Sequence, residues 1–522
     1  MIAGVAGQHL RIALWVFLAF STLYVLTGRG HFIGTDEIAL YQTTRSLWED
    51  HDLHIGRIIN AHQGRGGAYY SQYSVGQAVA ALPLYAIDKG TGWLLANTGR
   101  ASWSTTLAGP SIGTEPSRWG GDIEIFFVSL YGAFTTALLC AVFFTFSLRL
   151  GGSLKASLAA TALLGLATYV GPFSSTFLQH SSDALLVLWS FYFLMSDSQR
   201  PDWRSRALAG ILLGLAVVFR YQSVIAIPAL GLYHIWSVGK RRDGTSIGSL
   251  VLTGLRQLPV FALPVLVGIA GHLAINYVKF DTIWGKYSDT SFNSPIPTGL
   301  YGFLFSSGDS IFLYTPLLLL LPWMVAHFFQ KWRREAVLIL TLALCYLLFY
   351  SSFEFWHGLW SDLGPRYLMP TVPLLLLPLA GWLDARGRKA WLAVAPLTAL
   401  GIWVQLVHFA ANFSYVSYYE KYLPSTWPPD LAFLFIPERS PLLAHMKATL
   451  AWDYRVDLWL VNVYRAFGTG RLLFLAIPLL CLLGVCLWRL HRNLVAAGAI
   501  DGGIWRHLSF PWRARRGSTN DY

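Results

Sequence analysis

Charge is what this chain has least of. Charged residues make up 13% of its 522 positions, where a soluble domain carries roughly 25%. No polar stretch is long enough to build a core of its own, which excludes a sizeable soluble domain. Cysteine is scarce as well. Cys140, Cys345, Cys481 and Cys486 all fall inside apolar runs, where they read as small core residues and not as disulfides or zinc ligands. No glycine-rich phosphate loop precedes a helix on the basic side of the chain, and there is no nucleotide-binding domain. That argues against a nucleotide-sugar donor and against an ATP-driven pump. Repeats and low-complexity segments are missing too. The first apolar run, 12–26, lacks a basic n-region and a small-residue cleavage site, so it is expected to stay as the first span.

What the chain has in quantity is apolar length. It is 54% hydrophobic with 22 Trp, and runs of about 17–25 apolar residues, enough to cross a bilayer core, recur throughout. The expectation is an all-α, multi-pass membrane protein. Twelve spans are predicted, at about 10–27, 123–148, 156–171, 178–195, 207–219, 222–238, 258–278, 311–329, 336–351, 367–383, 390–410 and 471–489. Alternate connections carry RLGGSLK, SDSQRPDWRSR, GKRRDG, QKWRRE, DARGRK and the tail WRARR. Placed on one side with the N-terminus, they gather over half of the 39 Lys+Arg and about a quarter of the 27 Asp+Glu. By the positive-inside rule that side is cytoplasmic. The net charge of +12 is then a topology signal with anionic lipid as its partner, and not a nucleic-acid footprint.

This orientation puts the long connections outside, at about 28–122, 279–310, 352–366 and 411–470. A membrane domain over 1–490 and a basic cytoplasmic tail over 491–522 follow. The stretches 72–95 and 441–464 are apolar but broken by Gly, Pro, Asp and Lys, so they read as helices lying in the outer interface. The asymmetry predicts that the chemistry is outside too.

Asp36 and Glu37 stand about ten residues past the first span. They read either as a partly desolvated general base with its neighbour or as an acidic pair in a wet loop. The set Glu49, Asp50, His51, Asp52 and His54 has metal-ligand residue types without a ligand spacing, and reads more simply as a solvated helix end. His180 and Asp183 lie one turn apart in the fourth span. An aspartate there costs roughly 2.5–3.5 kcal/mol and faces a cavity or a partner. Arg220 and Arg366 sit at span ends, as lipid-interface anchors or as grips for a phosphate. Gly364-Pro365 fixes the backbone ahead of Arg366. The aromatics of 349–360 and 411–427 read as interface belts.

These residues also carry a family resemblance. TDEIALYQTTRSLWEDHDLHI followed by YYSQYSVGQAVAALPLYAI resembles the first outer loop of GT-C-fold glycosyltransferases, most nearly the protein O-mannosyltransferase and aminoarabinose-transferase group. GLAVVFRYQSVIAIPAL and GPRYLMPTVPLLLLPLAG fit the same pattern, and GLYGFLFSSGDSIFLYTPLLLL resembles a branch of uncharacterised bacterial membrane proteins in that superfamily. The likeness runs over roughly residues 10–410. It implies a GT-C-like bundle in the plasma (inner) membrane, with both termini cytoplasmic and an outer-face active site. It further implies inverting transfer from a polyprenyl-phosphate-linked sugar to a lipid, glycan or protein acceptor. Asp36 matches the catalytic base, Glu37 its neighbour, Asp183 a polar position of the fourth span, and Arg366 an arginine close to the lipid phosphate. Gln72 stands where relatives often have Lys, and Ser74-Val75 replace Pro-Pro. Phosphate binding is therefore expected to lean on Arg220, Arg366 or Lys279, with His180, Gln72 and Tyr73 as further substrate contacts. No cofactor is called for, and a divalent cation stays open. The alternatives are a carrier or flippase for lipid-linked sugars, which long outer loops and the lack of an inverted repeat disfavour, and a non-catalytic scaffold in envelope polysaccharide assembly.

Overall fold

The computed structural model describes residues 2–32, 34–98, 125–238, 247–286, 292–358, 364–410, 432–451 and 456–496. Helices dominate them. Six are long and apolar enough to cross a membrane by length and composition: Gly7–Leu26, Phe126–Arg149, Val251–Phe280, Arg333–Ser351, Arg388–His408 and Thr469–Ala496. The other predicted spans are not continuous apolar helices of that kind. Run 178–195 is a 20-residue helix, His180–Gln199, but Asp183 and Asp197 dilute its hydropathy. Runs 222–238, 311–329 and 367–383 are each split between a 3₁₀ turn and one or more short helices. The basic run GKRRDG, the aromatics of 411–427 and the tail beyond 496 lie outside the described residues.

The core forms where apolar helices carry no charge to keep wet. Tyr131–Arg149 meets its first charged residue only at its last position, and it buries nearly every face, from Gly132 to Ser147. Helix α1 (Ile2–Leu26) and His180–Gln199 pack on it. Small residues bring other helices closer still. Gly210 and Gly214, one turn apart in Trp203–Phe219, lie against Ile247–Phe280. A Cβ added at Gly210 would come within 2.2 Å of the Phe261 carbonyl oxygen, and one at Gly214 within 2.6 Å of that of Pro264. This is the small-residue crossing by which membrane helices gain dispersion contact.

The loop after the first span is structured. Helix α2 (Thr35–Glu49) is followed by three short strands, β1 (His54–Ile55), β2 (Ala61–Gln63) and β3 (Tyr69–Ser71). They form an antiparallel sheet in the order β1-β3-β2, with His54 opposite Tyr70 and Ala61 opposite Ser71. The sheet is an addition to the all-helical expectation. The apolar stretch after it folds as two helices, α3 (Gly76–Ala80) and α4 (Leu82–Asn97). The stretch 441–464 likewise forms two, Pro441–Leu450 and Trp459–Phe467.

The helix breaks converge near one another. His180 opens its helix just after the 3₁₀ turn Pro172–Ser175. Arg220 ends Trp203–Phe219 in an extended conformation (φ −149°, ψ 111°) and leads into the 3₁₀ turn Tyr221–Ile225. Arg366 begins the 3₁₀ turn Arg366–Leu368. Irregular backbone at membrane depth is tolerated where protein buries it or where it lines a cavity, and these breaks border a cleft.

Candidate functional site

The cleft is small and is lined by Asp36, Leu40, Tyr73, Leu178, Gln179, His180, Arg220, Gln222, Arg366 and Tyr367. Asp36 lies in the first turn of α2, where the helix N-terminus favours a carboxylate. One of its oxygens, Oδ2, accepts from Arg366 Nη1 at 3.3 Å, and the other, Oδ1, accepts from Asn60 Nδ2 at 2.9 Å. Asn60 also donates to the Thr35 hydroxyl at 3.0 Å. Its left-handed backbone, φ 69°, turns the chain into β2 and aims the amide back at α2.

Glu37, the next residue, faces the other way. It is 1% exposed. Its Oε2 accepts from the Gly34 backbone N–H at 3.0 Å, and its Oε1 from the Phe177 N–H at 2.5 Å. It supplies the N3 half of a capping box at the head of α2, since the N-cap, Gly34, has no side chain to return the bond, and it ties that helix to the segment ahead of His180. The Asp-Glu pair is thus split between the cleft and the frame behind it.

Arg366 also donates to the Tyr367 hydroxyl at 3.3 Å, and its guanidinium stands 5.1 Å from the Tyr367 ring centroid. Arg220 is 4% exposed. It donates to the Tyr350 hydroxyl at 3.1 Å, and its Nη1 lies 4.0 Å from Asp183 Oδ2. Its charge sits 5.8 and 5.6 Å from the rings of Tyr350 and Tyr367, which stack on each other at 4.7 Å. Asp183 is fully buried below the cleft and accepts from the Ser223 hydroxyl at 2.7 Å. It acts as counter-charge to Arg220 at a position where an unpaired aspartate would be costly.

The remaining predicted residues form the rim and its backing. Tyr73 lines the cleft. Gln72 donates to the Tyr73 hydroxyl at 3.1 Å and to Asn60 Oδ1 at 3.2 Å, and meets His62 at 3.0 Å. Lys279, 2% exposed, donates to the Tyr73 carbonyl at 3.0 Å, so it buttresses the rim from behind and does not line the cleft.

The acid- and histidine-rich end of α2 does not gather into a site. Burial pushes the Glu49 carboxyl up, but hydrogen bonds from Lys89, Arg45 and Tyr85 outweigh it and hold it at about 2. Through Lys89 and Tyr85 it pins α2 to α4. Asp52 accepts from Ser46 and pairs with His54. No group of three or more His, Cys, Asp or Glu able to hold a metal occurs among the described residues.

Sequence reasoning missed Asn60, Tyr350, Gln179 and Gln222. Asn60 sits in IINAH with nothing to single it out, and Tyr350 looks like one more aromatic in FYSSFEFW. Tyr367 was within reach, because it stands in the same GPRYLMP as Arg366.

No protein-family profile matches the chain, and no curated protein matches it. Among solved structures it is similar to apo ArnT from Cupriavidus metallidurans, at 15% identity and TM-score 0.45 over 87% of this chain and 76% of that one. The same enzyme bound to undecaprenyl phosphate is similar at 14% identity and TM-score 0.42, over 96% and 79%. The oligosaccharyltransferase AglB from Archaeoglobus fulgidus, in complex with an inhibitory peptide and a dolichol-phosphate, is similar at 11% identity and TM-score 0.44, over 86% and 56%.

Proposed function

We propose that this chain is a GT-C-type, membrane-embedded glycosyltransferase that moves a sugar from a polyprenyl-phosphate donor to an acceptor hydroxyl at the outer face of the membrane. The observation that carries the reading is the contact of Asp36 with Arg366 on the wall of a cleft that Arg220 also lines. A carboxylate and two guanidinium groups in one cleft are what proton removal beside a departing phosphate requires. The twelve-span topology, with both termini cytoplasmic and the tail at 491–522, is part of this proposal, as is a donor tail lying between helices.

In the proposed step the acceptor hydroxyl gives its proton to Asp36. The freed oxygen forms a bond to the anomeric carbon on the face opposite the phosphate. The bond from that carbon to the phosphate oxygen breaks, and its electron pair leaves with the lipid phosphate. Configuration inverts. Arg220 and Arg366 stabilise the charge growing on the leaving group, which is where preorganised donors lower a barrier most. The Arg366–Asp36 contact at 3.3 Å is long for a charge-assisted hydrogen bond, which ordinarily measures about 2.7–2.9 Å. An arriving phosphate can draw Arg366 toward itself and leave Asp36 free to take a proton, while Asn60 keeps its carboxylate in place.

The test is Asp36→Asn in membranes supplied with a polyprenyl-phosphate-linked sugar. Transfer should fall by about 10²–10⁴-fold with the protein still present at wild-type level. Undiminished transfer would overturn the assignment of Asp36.

A further inference from the structure

Among the polar groups of the cleft wall that the proposed step leaves unused, His180 stands apart. His180 is 6% exposed, it lines the cleft, and neither of its ring nitrogens has a hydrogen-bond partner among the described residues. The ring is held between Phe173, at 5.3 Å between centroids, and Tyr367, at 6.0 Å. Those contacts fix its plane without using its polar atoms. Each arginine, by contrast, already uses at least one of its donors: Arg220 donates to Tyr350, and Arg366 donates to Asp36 and Tyr367.

A buried polar atom left unpaired costs roughly 1–3 kcal/mol, and buried polar groups almost always find a partner. A side chain that keeps two such atoms in the wall of an open cleft is arranged for something that enters the cleft. What enters is constrained by the neighbours. Tyr367 has three nitrogen-bearing groups around its ring: His180, Arg220 at 5.6 Å and Arg366 at 5.1 Å. An imidazole carries at least one N–H donor in either tautomer. Together they present donors to a ligand that is anionic and rich in acceptors.

We propose that His180 is a third substrate contact of the phosphate site, donating a ring N–H to a non-bridging oxygen of the donor's phosphate between Arg220 and Arg366. This rests on the glycosyltransferase reading. It adds that recognition of the lipid-linked phosphate does not depend on charge alone. An imidazole donor is directional, so it fixes the orientation of the phosphate as well as its presence. The departing phosphate oxygen is thereby held in line with the attacking one.

The experiment measures binding of undecaprenyl phosphate and of neutral undecaprenol to the full chain in phosphatidylcholine nanodiscs. Wild type should prefer the phosphate. His180→Phe keeps the ring's packing and removes its donor, so it should lose about tenfold or more of that preference, with undecaprenol binding unchanged. His180→Gln restores an N–H donor and should recover most of the loss. If the Phe variant does not fold, His180→Leu gives the same comparison. A phosphate preference that survives removal of the donor would overturn the proposal. So would a glutamine variant no better than phenylalanine, since that is the mark of a purely packing role. The glycosyltransferase reading is judged separately, by transfer in the Asp36→Asn variant. It can stand while His180 proves to be wall.

Discussion

Glu37 Oε1 accepts the backbone N–H of Phe177 across 140 positions of the chain, at 2.5 Å. With its other oxygen on Gly34, this acid adjoining the proposed base is wholly engaged in holding the loop against α2. Its neighbour faces the cleft. Two adjacent carboxylates have been given different work by the direction in which one helical turn points them.

The division can be read by mutation. Glu37→Gln replaces one accepting oxygen with an N–H₂ group that would face a backbone N–H, so it should destabilise by about 1–3 kcal/mol. It should lower Tm in detergent and reduce yield. Asp36→Asn should shift Tm much less while removing transfer. Equal Tm losses in the two variants would contradict the split.

Gly358 predicts how tightly the arginine is placed. It has φ +69°, and a Cβ there would stand 2.8 Å from Arg366 Nε. Gly358→Ala should strain the backbone by about 1–2 kcal/mol and press the guanidinium out of its seat. Transfer should fall and phosphate binding weaken, with the chain still folded by circular dichroism. Wild-type transfer in this variant would show that Arg366 does not need its present position.

His31 and Asp457 join the loop after the first span to the segment ahead of Trp459–Phe467, 2.8 Å apart and both at least 97% buried. Burial pushes the His31 imidazole down, but the hydrogen bond and charge of Asp457 outweigh it, and the ring stands above its ordinary value. A raised value in the folded state contributes stability that is present below the unfolded value, about 6.5, and is lost as pH rises through the folded one. Asp457→Asn should therefore cost most in mildly acidic buffer, on the order of 3 kcal/mol. The gap to wild type should narrow as pH climbs. A gap in Tm that stays constant from pH 5 to pH 9 would refute the linkage.

Asp309 has the same sign from a different cause. It is 2% exposed, its Oδ2 has no hydrogen-bond partner among the described residues, and burial raises its carboxyl well above the ordinary range against the pull of Arg366. The folded protein prefers the protonated acid, so this contribution is intact below about pH 4 and fades as pH rises. Asp309→Asn mimics the neutral form. It should match wild type in acid and exceed it at pH 8, as read by Tm across that range. A variant less stable than wild type at pH 8 would mean that the ionised form is the one being held.

How far the site could be read from the chain differs by residue. Arg220 and Arg366 were legible because a charge at the end of an apolar run is costly and therefore conspicuous, Asp36 because it is half of an acidic pair about ten residues past the first span, and the structure brings all three to one cleft. His180 and Asp183 were legible for the same reason as the arginines. Lys279 was conspicuous too, yet its ammonium is turned onto the Tyr73 carbonyl. Asn60 was not legible, because a small polar residue in a loop is ordinary until its backbone is seen at φ 69°. The span count rests on hydropathy, which has a related limit. Hydropathy reports how apolar a run is, but it does not report where the backbone breaks into 3₁₀ turns at Tyr221–Ile225, Pro316–Leu320 and Arg366–Leu368.

By itself the sequence determined the solvent this chain is built for, since low charge and long apolar runs follow from composition and period alone. It also marked the ionisable residues that such a chain can carry only at a cost. Tertiary structure alone decided what each of them faces. The 330 positions between Asp36 and Arg366 are closed by helix packing and by the tie of Glu37 to Phe177. Neither is encoded in local periodicity, because a side chain's direction depends on where helices start, break and cross.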